Sequence, residues 1–229
     1  MKGIFNMDKQ FRFAVVLSGC GRADGSEIYE TVSALYAIAM SGNTYQCFAP
    51  NIAQAKVVDL FNRSETSEKR NVLIESARLA RGNIFDLKKF KAENYDAVIF
   101  PGGLGAVTNW CDYASKGLAC TVNPEIKRVI RESYDQRLAI GAMCIAPTLL
   151  ALVLKDKHIT FTLGADSVNT KELETLGVNH KETATTGVCV DKKHRICTTP
   201  AYMLATNITE IFAGAQKLVA EMVNLLDNN

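Results

Sequence analysis

Cys144 sits in the setting that points most directly to chemistry. Residues 139–143, Ala-Ile-Gly-Ala-Met, read as a short buried strand that delivers this cysteine to the first turn of a helix, with Pro147 suited to a helix start. Small Gly141 and Ala146 leave room for a tight strand-to-helix turn. A thiol at a helix N-terminus faces unpaired N–H groups and the positive end of the dipole, so its pKa is expected to fall toward the reactive thiolate. The alternative is an inert buried cysteine. Two more segments carry candidates. Pro101-Gly102-Gly103 follows an apolar run at 97–100, and its glycines either bring backbone N–H groups close to a developing oxyanion or make a plain turn. Glu27 and Glu30, three residues apart at the start of a helix, share a face, either as site acids or as compensation for the helix dipole.

The elements that must position these groups alternate. Residues 13–17 form a short apolar run into Ser18-Gly19-Cys20-Gly21, the pattern of a buried strand entering a glycine-rich loop. A helix follows, with Ser26 as its expected N-cap, Ile28, Val32, Leu35, Tyr36 and Ala39 at helical spacing, and Gly42 at its end. Further strands are predicted at 45–49, 97–100, 138–143 and 158–162, and helices at 72–80, 124–134, 145–154 and 208–226. The segment 62–71 reads as a surface connection and 107–123 as an insertion or lid. Residues 188–191 and 195–198, separated by Lys192-Lys193-His194, resemble a hairpin that sets Cys189 opposite Cys197. Strands alternating with helices imply one α/β domain over residues 1–229, a mostly parallel sheet covered on both faces. The ligand crevice of such a sheet lies outside the carboxyl ends of its strands, where strand order reverses, and three predicted strands end in Ser18–Gly21, Pro101–Gly103 and Cys144.

Composition excludes several classes. With 229 residues, 48% hydrophobic and 22% charged, the chain is ordinary for a globular protein and needs neither disulfide nor metal to hold a core. A net charge of +2 without a block of like charges gives no nucleic-acid footprint. Charges within the first nine residues argue against a secretory signal, and the longest uncharged stretch, 17 residues at 138–154, is interrupted by Gly141 and Pro147, against a membrane span. Seven cysteines without a C-x-x-C pair fit a reducing compartment, and a cytoplasmic protein is expected. His158, His180 and His194 are far apart, so no metal site is expected and they are read as structural or loop residues. The third glycine after the first strand is one position late for G-x-G-x-x-G, no acid lies between residues 31 and 58, and no P-loop occurs, so no cofactor is expected.

The glycines after the 97–100 strand, the elbow Gly141-Ala-Met-Cys-Ile-Ala-Pro147 and the acids after the first strand together resemble the ThiJ/PfpI superfamily, within the class I glutamine amidotransferase-like fold. Ser18-Gly-Cys-Gly21, Asp24-Gly-Ser-Glu27, Cys47-Phe-Ala-Pro50, Arg70-Asn-Val-Leu-Ile-Glu75, Cys120-Thr-Val122 and Thr198-Thr-Pro-Ala-Tyr-Met-Leu-Ala205 are similar to the ElbB branch, the enhancing-lycopene-biosynthesis or glyoxalase-like proteins. This resemblance implies a flavodoxin-like three-layer sandwich, a homodimer, and a Cys144 thiolate that accepts a hydrogen bond from a protonated Glu30, with Glu27 as the second acid. It implies an oxyanion hole of backbone N–H groups from Gly102, Gly103 and Ile145, and a pocket bordered by Thr199 and Tyr202 unless these only pack. Ile145 stands where protease-like members have histidine, and the late His-x-Glu of amidotransferases is absent. The activity implied is a glutathione-independent glyoxalase acting on a small aldehyde or dicarbonyl, tied by resemblance to isoprenoid biosynthesis. A redox sensor or partner-binding protein is the alternative, with Cys144 oxidised and Cys20 as the resolving thiol.

Overall fold

The computed structural model describes residues 9–228; most of the leading segment that bears on a secretory signal lies outside the described residues. Runs of four to six residues form the strands β1 (Arg12–Val16), β2 (Thr44–Ala49), β6 (Ala97–Phe100), β7 (Ala139–Met143) and β11 (Ile196–Thr199), with β6 and β7 apolar throughout. Between β2 and β6 stand β3 (Val57–Asp59), β4 (Ser64–Thr66) and β5 (Ile84–Asp86), and between β7 and β11 stand β8 (Thr160–Phe161), β9 (Asn179–His180) and β10 (Cys189–Asp191). The helices are α1 (Ile28–Met40), α2 (Val72–Leu79), α3 (Gly105–Thr108), α4 (Tyr113–Lys116), α5 (Pro124–Asp135), α6 (Pro147–Val153), α7 (Val168–Glu174) and α8 (Ile208–Asp227). The main sheet runs β10-β11-β7-β6-β1-β2-β5, parallel except for the antiparallel edge strand β10. Every residue of β6 and β7 is buried, as a parallel sheet covered by helices on both faces requires. From β1 the chain steps outward to β2 and then crosses back to β6, so strand order reverses between β1 and β6.

Several expectations are corrected. Residues 160–161 pair with 179–180 in a separate two-stranded sheet, so the fifth predicted strand is not part of the main one. The surface connection at 62–71 contains half of the β3–β4 hairpin. Within segment 107–123, Trp110 is fully buried, with its indole edge-on to Phe100, and the backbone of Cys111 pairs with that of Val122. Ser26 does not cap α1, because its Oγ accepts the Ser18 N–H at 2.8 Å inside the first loop; Glu27 caps instead, accepting the Glu30 N–H at 2.8 Å. In the β10–β11 hairpin Cys189 opposes Thr198 and Cys197 opposes Val190, so the two cysteines point to opposite faces. Ile28, Val32 and Tyr36, which keep the helical spacing in the sequence, are 40%, 51% and 50% exposed. No helix of the described residues is long and apolar enough to cross a membrane.

Candidate active site

The carboxyl ends of β1, β6 and β7 meet at the switch point. Cys144 follows β7 with φ +58°, an uncommon conformation for a residue other than glycine, and its N–H donates to the Thr199 carbonyl at 3.0 Å. Glu30, buried in the first turn of α1, takes the Gly102 N–H on Oε2 at 2.9 Å and the Tyr202 N–H on Oε1 at 3.3 Å. Its carboxyl also meets the Cys144 thiol, and the Gly103 and Ile145 N–H groups are aimed at the sulfur. Glycine is obligatory in this loop, since a Cβ on Gly102 would collide with the Cys144 Cβ and Glu30 Oε2. The N–H of Gly102 is therefore spent on holding Glu30. It belongs to the acid's support, and Gly103 and Ile145 remain as the donors for an oxyanion.

Burial pushes the Glu30 carboxyl up to about 7, helped by the neighbouring charge of Glu27. Burial and the Glu30 charge also push the Cys144 thiol well above its ordinary range, against the pull of the Gly103 and Ile145 N–H groups. The expected low thiol pKa is thus reversed. Helix α6 begins only at Pro147 and is 7 residues long, so the sulfur lies outside its first turn, where the dipole has faded. Cys144 is thus held as a thiol against a carboxyl that titrates around neutral pH. Among the described residues no cluster of His, Cys, Asp or Glu is arranged to hold a metal.

Cys144 is 8% exposed and opens into a cavity of about 670 Å³. Glu27, Gly103, Ile145 and Tyr202 line it, as the sequence suggests. Arg22, Tyr29, Leu104, Asn169 and Met203 also do. Arg22 lies in the glycine-rich loop already singled out, whereas Asn169 sits on α7, a two-turn helix too short for a periodic signal. Thr199 holds Cys144 through its carbonyl without lining the cavity, and Cys20 lies instead beside Glu75 and Arg78 of α2. The histidines are elsewhere: His158 Nδ1 is 2.8 Å from the Gly177 carbonyl, His180 pairs with Asp166 at 2.9 Å, and His194 Nδ1 is 2.8 Å from the Tyr134 hydroxyl.

A cysteine elbow facing a buried glutamate at the switch point of a parallel sheet, in a fold shared with the ThiJ/PfpI domain protein from Brachyspira murdochii (TM-score 0.59 at 13% identity, covering 96% of this chain and 99% of that one), marks a class I glutamine amidotransferase-like protein. No family model matches the chain. It is 40% identical over 223 residues to the ES1 protein homolog, mitochondrial, of Rattus norvegicus, covering 93% of this chain and 84% of the relative. Over 222 residues it is 39% identical to the human glutamine amidotransferase-like class 1 domain-containing protein 3, mitochondrial, covering 93% and 83%. The chain belongs to this ES1 family of glutamine amidotransferase-like proteins. A solved structure, the isoprenoid biosynthesis protein with amidotransferase-like domain from Ehrlichia chaffeensis, superposes with a TM-score of 0.87 at 34% identity, covering 93% of this chain and 99% of that one. The mitochondrial names of the relatives overturn the cytoplasmic expectation, because free thiols indicate a reducing compartment without saying which.

Proposed function

We propose that the chain is a glutathione-independent glyoxalase-like enzyme that converts glyoxal, or a similar small dicarbonyl, to a 2-hydroxy acid. The Cys144 thiol donating to Glu30 beneath two convergent N–H groups carries this reading. Glu30, held near 7, is matched to accept and return protons at neutral pH. It takes the thiol proton as sulfur attacks an aldehyde carbon, while Gly103 and Ile145 steady the oxyanion. After the resulting hemithioacetal is protonated, Glu30 moves a proton from the sulfur-bearing carbon to the neighbouring carbonyl carbon through an enediol, leaving a 2-hydroxy thioester. Water then cleaves the carbon–sulfur bond, releasing glycolate and returning a proton to sulfur. No histidine follows Cys144, so thioester hydrolysis is the slow step. The isoprenoid-biosynthesis name of the Ehrlichia protein extends to this chain as a physiological setting only.

Purified protein incubated with glyoxal in deuterated buffer, without glutathione, is expected to give glycolate by NMR. Absence of glycolate above the protein-free control sinks the proposal. The redox-sensor reading draws less support, since oxidation favours exposed, low-pKa thiols and Cys144 is neither.

The same reading includes a homodimer. Ile28, Val32, Tyr36 and Met40, spaced four apart on α1, make an exposed apolar stripe that a second copy covers by two-fold symmetry. Val32→Glu is expected to halve the native mass measured by light scattering; an unchanged dimeric mass places the contact elsewhere, and a monomeric wild type refutes it.

A further inference from the structure

The cavity over Cys144 shares a wall, formed by Arg22, Ala23 and Leu104, with a second depression of about 300 Å³. The β3–β4 hairpin and the residue before it supply the other side, through Lys56, Leu60, Arg63 and Glu65. Charge there is uneven. Lys56 lies 3.6 Å from Glu65, so those two offset each other, whereas Arg22 and Arg63 form no ion pair within 4 Å among the described residues, Arg22 acting on Glu27 from a longer distance. Both arginines stand on fastened segments. Asp59 accepts the N–H groups of Phe61 and Asn62 at 2.9 and 3.3 Å, closing the turn that carries Arg63, which itself has φ +56°. Asp24 accepts the Val58 N–H at 2.8 Å, tying the hairpin to the loop that carries Arg22.

We propose that Arg22 and Arg63 form an anion subsite, and that the natural substrate of Cys144 is an aldehyde bearing a phosphate or carboxylate at its far end. Guanidinium groups present planar, bidentate donors suited to either anion and remain charged at any physiological pH. Arg22 lines both cavities and so joins the reacting end to the anchoring end. Glu27, in the first cavity, repels an anion from the sulfur end, so the two charges of opposite sign orient the substrate with its carbonyl toward Cys144. This inference rests on the proposed aldehyde chemistry for its reactive end only.

The test separates binding from turnover. Cys144→Ser protein is titrated calorimetrically at low salt with glycerol, glycerol 3-phosphate and glycerate. At least one anion is expected to bind tenfold or more tightly than glycerol, with the better one identifying the preferred headgroup. Arg22→Met and Arg63→Met, each added to that background, are expected to lose the advantage. In a second arm, wild-type kcat/KM for the phosphate ester of hydroxypyruvaldehyde is expected to exceed that for hydroxypyruvaldehyde at least tenfold, with the ratio collapsing in Arg63→Met. Equal affinity for glycerol and both anions, or anion binding indifferent to both arginines, overturns the subsite even if glyoxal is consumed. Arginine-dependent anion binding without turnover of any aldehyde upholds the subsite and refutes the enzymatic reading instead.

Discussion

Glu30→Gln is expected to lower glyoxal turnover by about 10² to 10⁴-fold, the span usually lost with a positioned general base. Glutamine is nearly isosteric and retains an acceptor for the Gly102 N–H, so the variant keeps the fold while losing the group that moves protons. Cys144→Ser in parallel removes the nucleophile and sets the background. Wild-type kcat/KM is expected to fall as pH drops below about 7, where Glu30 becomes protonated and can no longer accept the thiol proton. Stability supplies an independent check with its own sign. The folded carboxyl holds its proton more tightly than the unfolded chain, whose glutamate titrates near 4.5, so the associated stability is fully present below that value. It is lost as pH rises through about 7, by roughly 3 kcal/mol for the full shift. Urea unfolding at pH 5 and pH 8 is therefore expected to show wild type losing more stability than Glu30→Gln over that interval. Equal losses would remove Glu30 as a buried ionising group.

Gly103→Ala is expected to be the most damaging single methyl in the site. At φ +98° the residue occupies a conformation that side chains rarely adopt, and a Cβ there would collide with the Glu27 nitrogen and the Gly25 carbonyl oxygen. Backbone atoms, unlike the end of a flexible side chain, cannot step aside. Overpacking and positive-φ strain together cost about 2 to 4 kcal/mol. Displacing Gly103 also turns its N–H away from the sulfur, and loss of one oxyanion donor costs about 10² to 10³-fold in kcat. Thermal melting and turnover are expected to fall together. A variant as stable and as active as wild type would show that the loop does not hold the conformation described.

The candidate site was legible in the sequence where strong local signals end strands. Residues 97–100 and 139–143 are unbroken apolar runs followed by small residues, so Gly103 and Cys144 stand where they were expected. Glu30 followed from the resemblance alone, since spacing puts Glu27 and Glu30 on one face and does not choose between them. What stayed hidden has three physical causes. Elements of two or three residues, such as β3, β4 and β9, have no periodicity to detect. Periodicity marks an apolar face without saying what covers it: Ile28, Val32 and Tyr36 share the helical spacing of Leu35, yet they are exposed and Leu35 is buried. Hydrogen-bond assignment is tertiary: Ser26 is the better cap by residue type, but its Oγ is taken by the Ser18 N–H and Glu27 caps in its place. The direction of the Cys144 shift belongs to the same class, because burial beside Glu30 is invisible in a local elbow motif.

The two oxygens of Glu30 are held by N–H groups 72 and 172 residues further along the chain. Closing loops of that length is what makes non-local structure slow to form. Helix α1 packs chiefly on α8, the last helix of the chain, and its acid acquires its full support only when the segment between β11 and α8 has docked. Regain of turnover during refolding is thus a clock for the last tertiary step, trailing the recovery of helical signal.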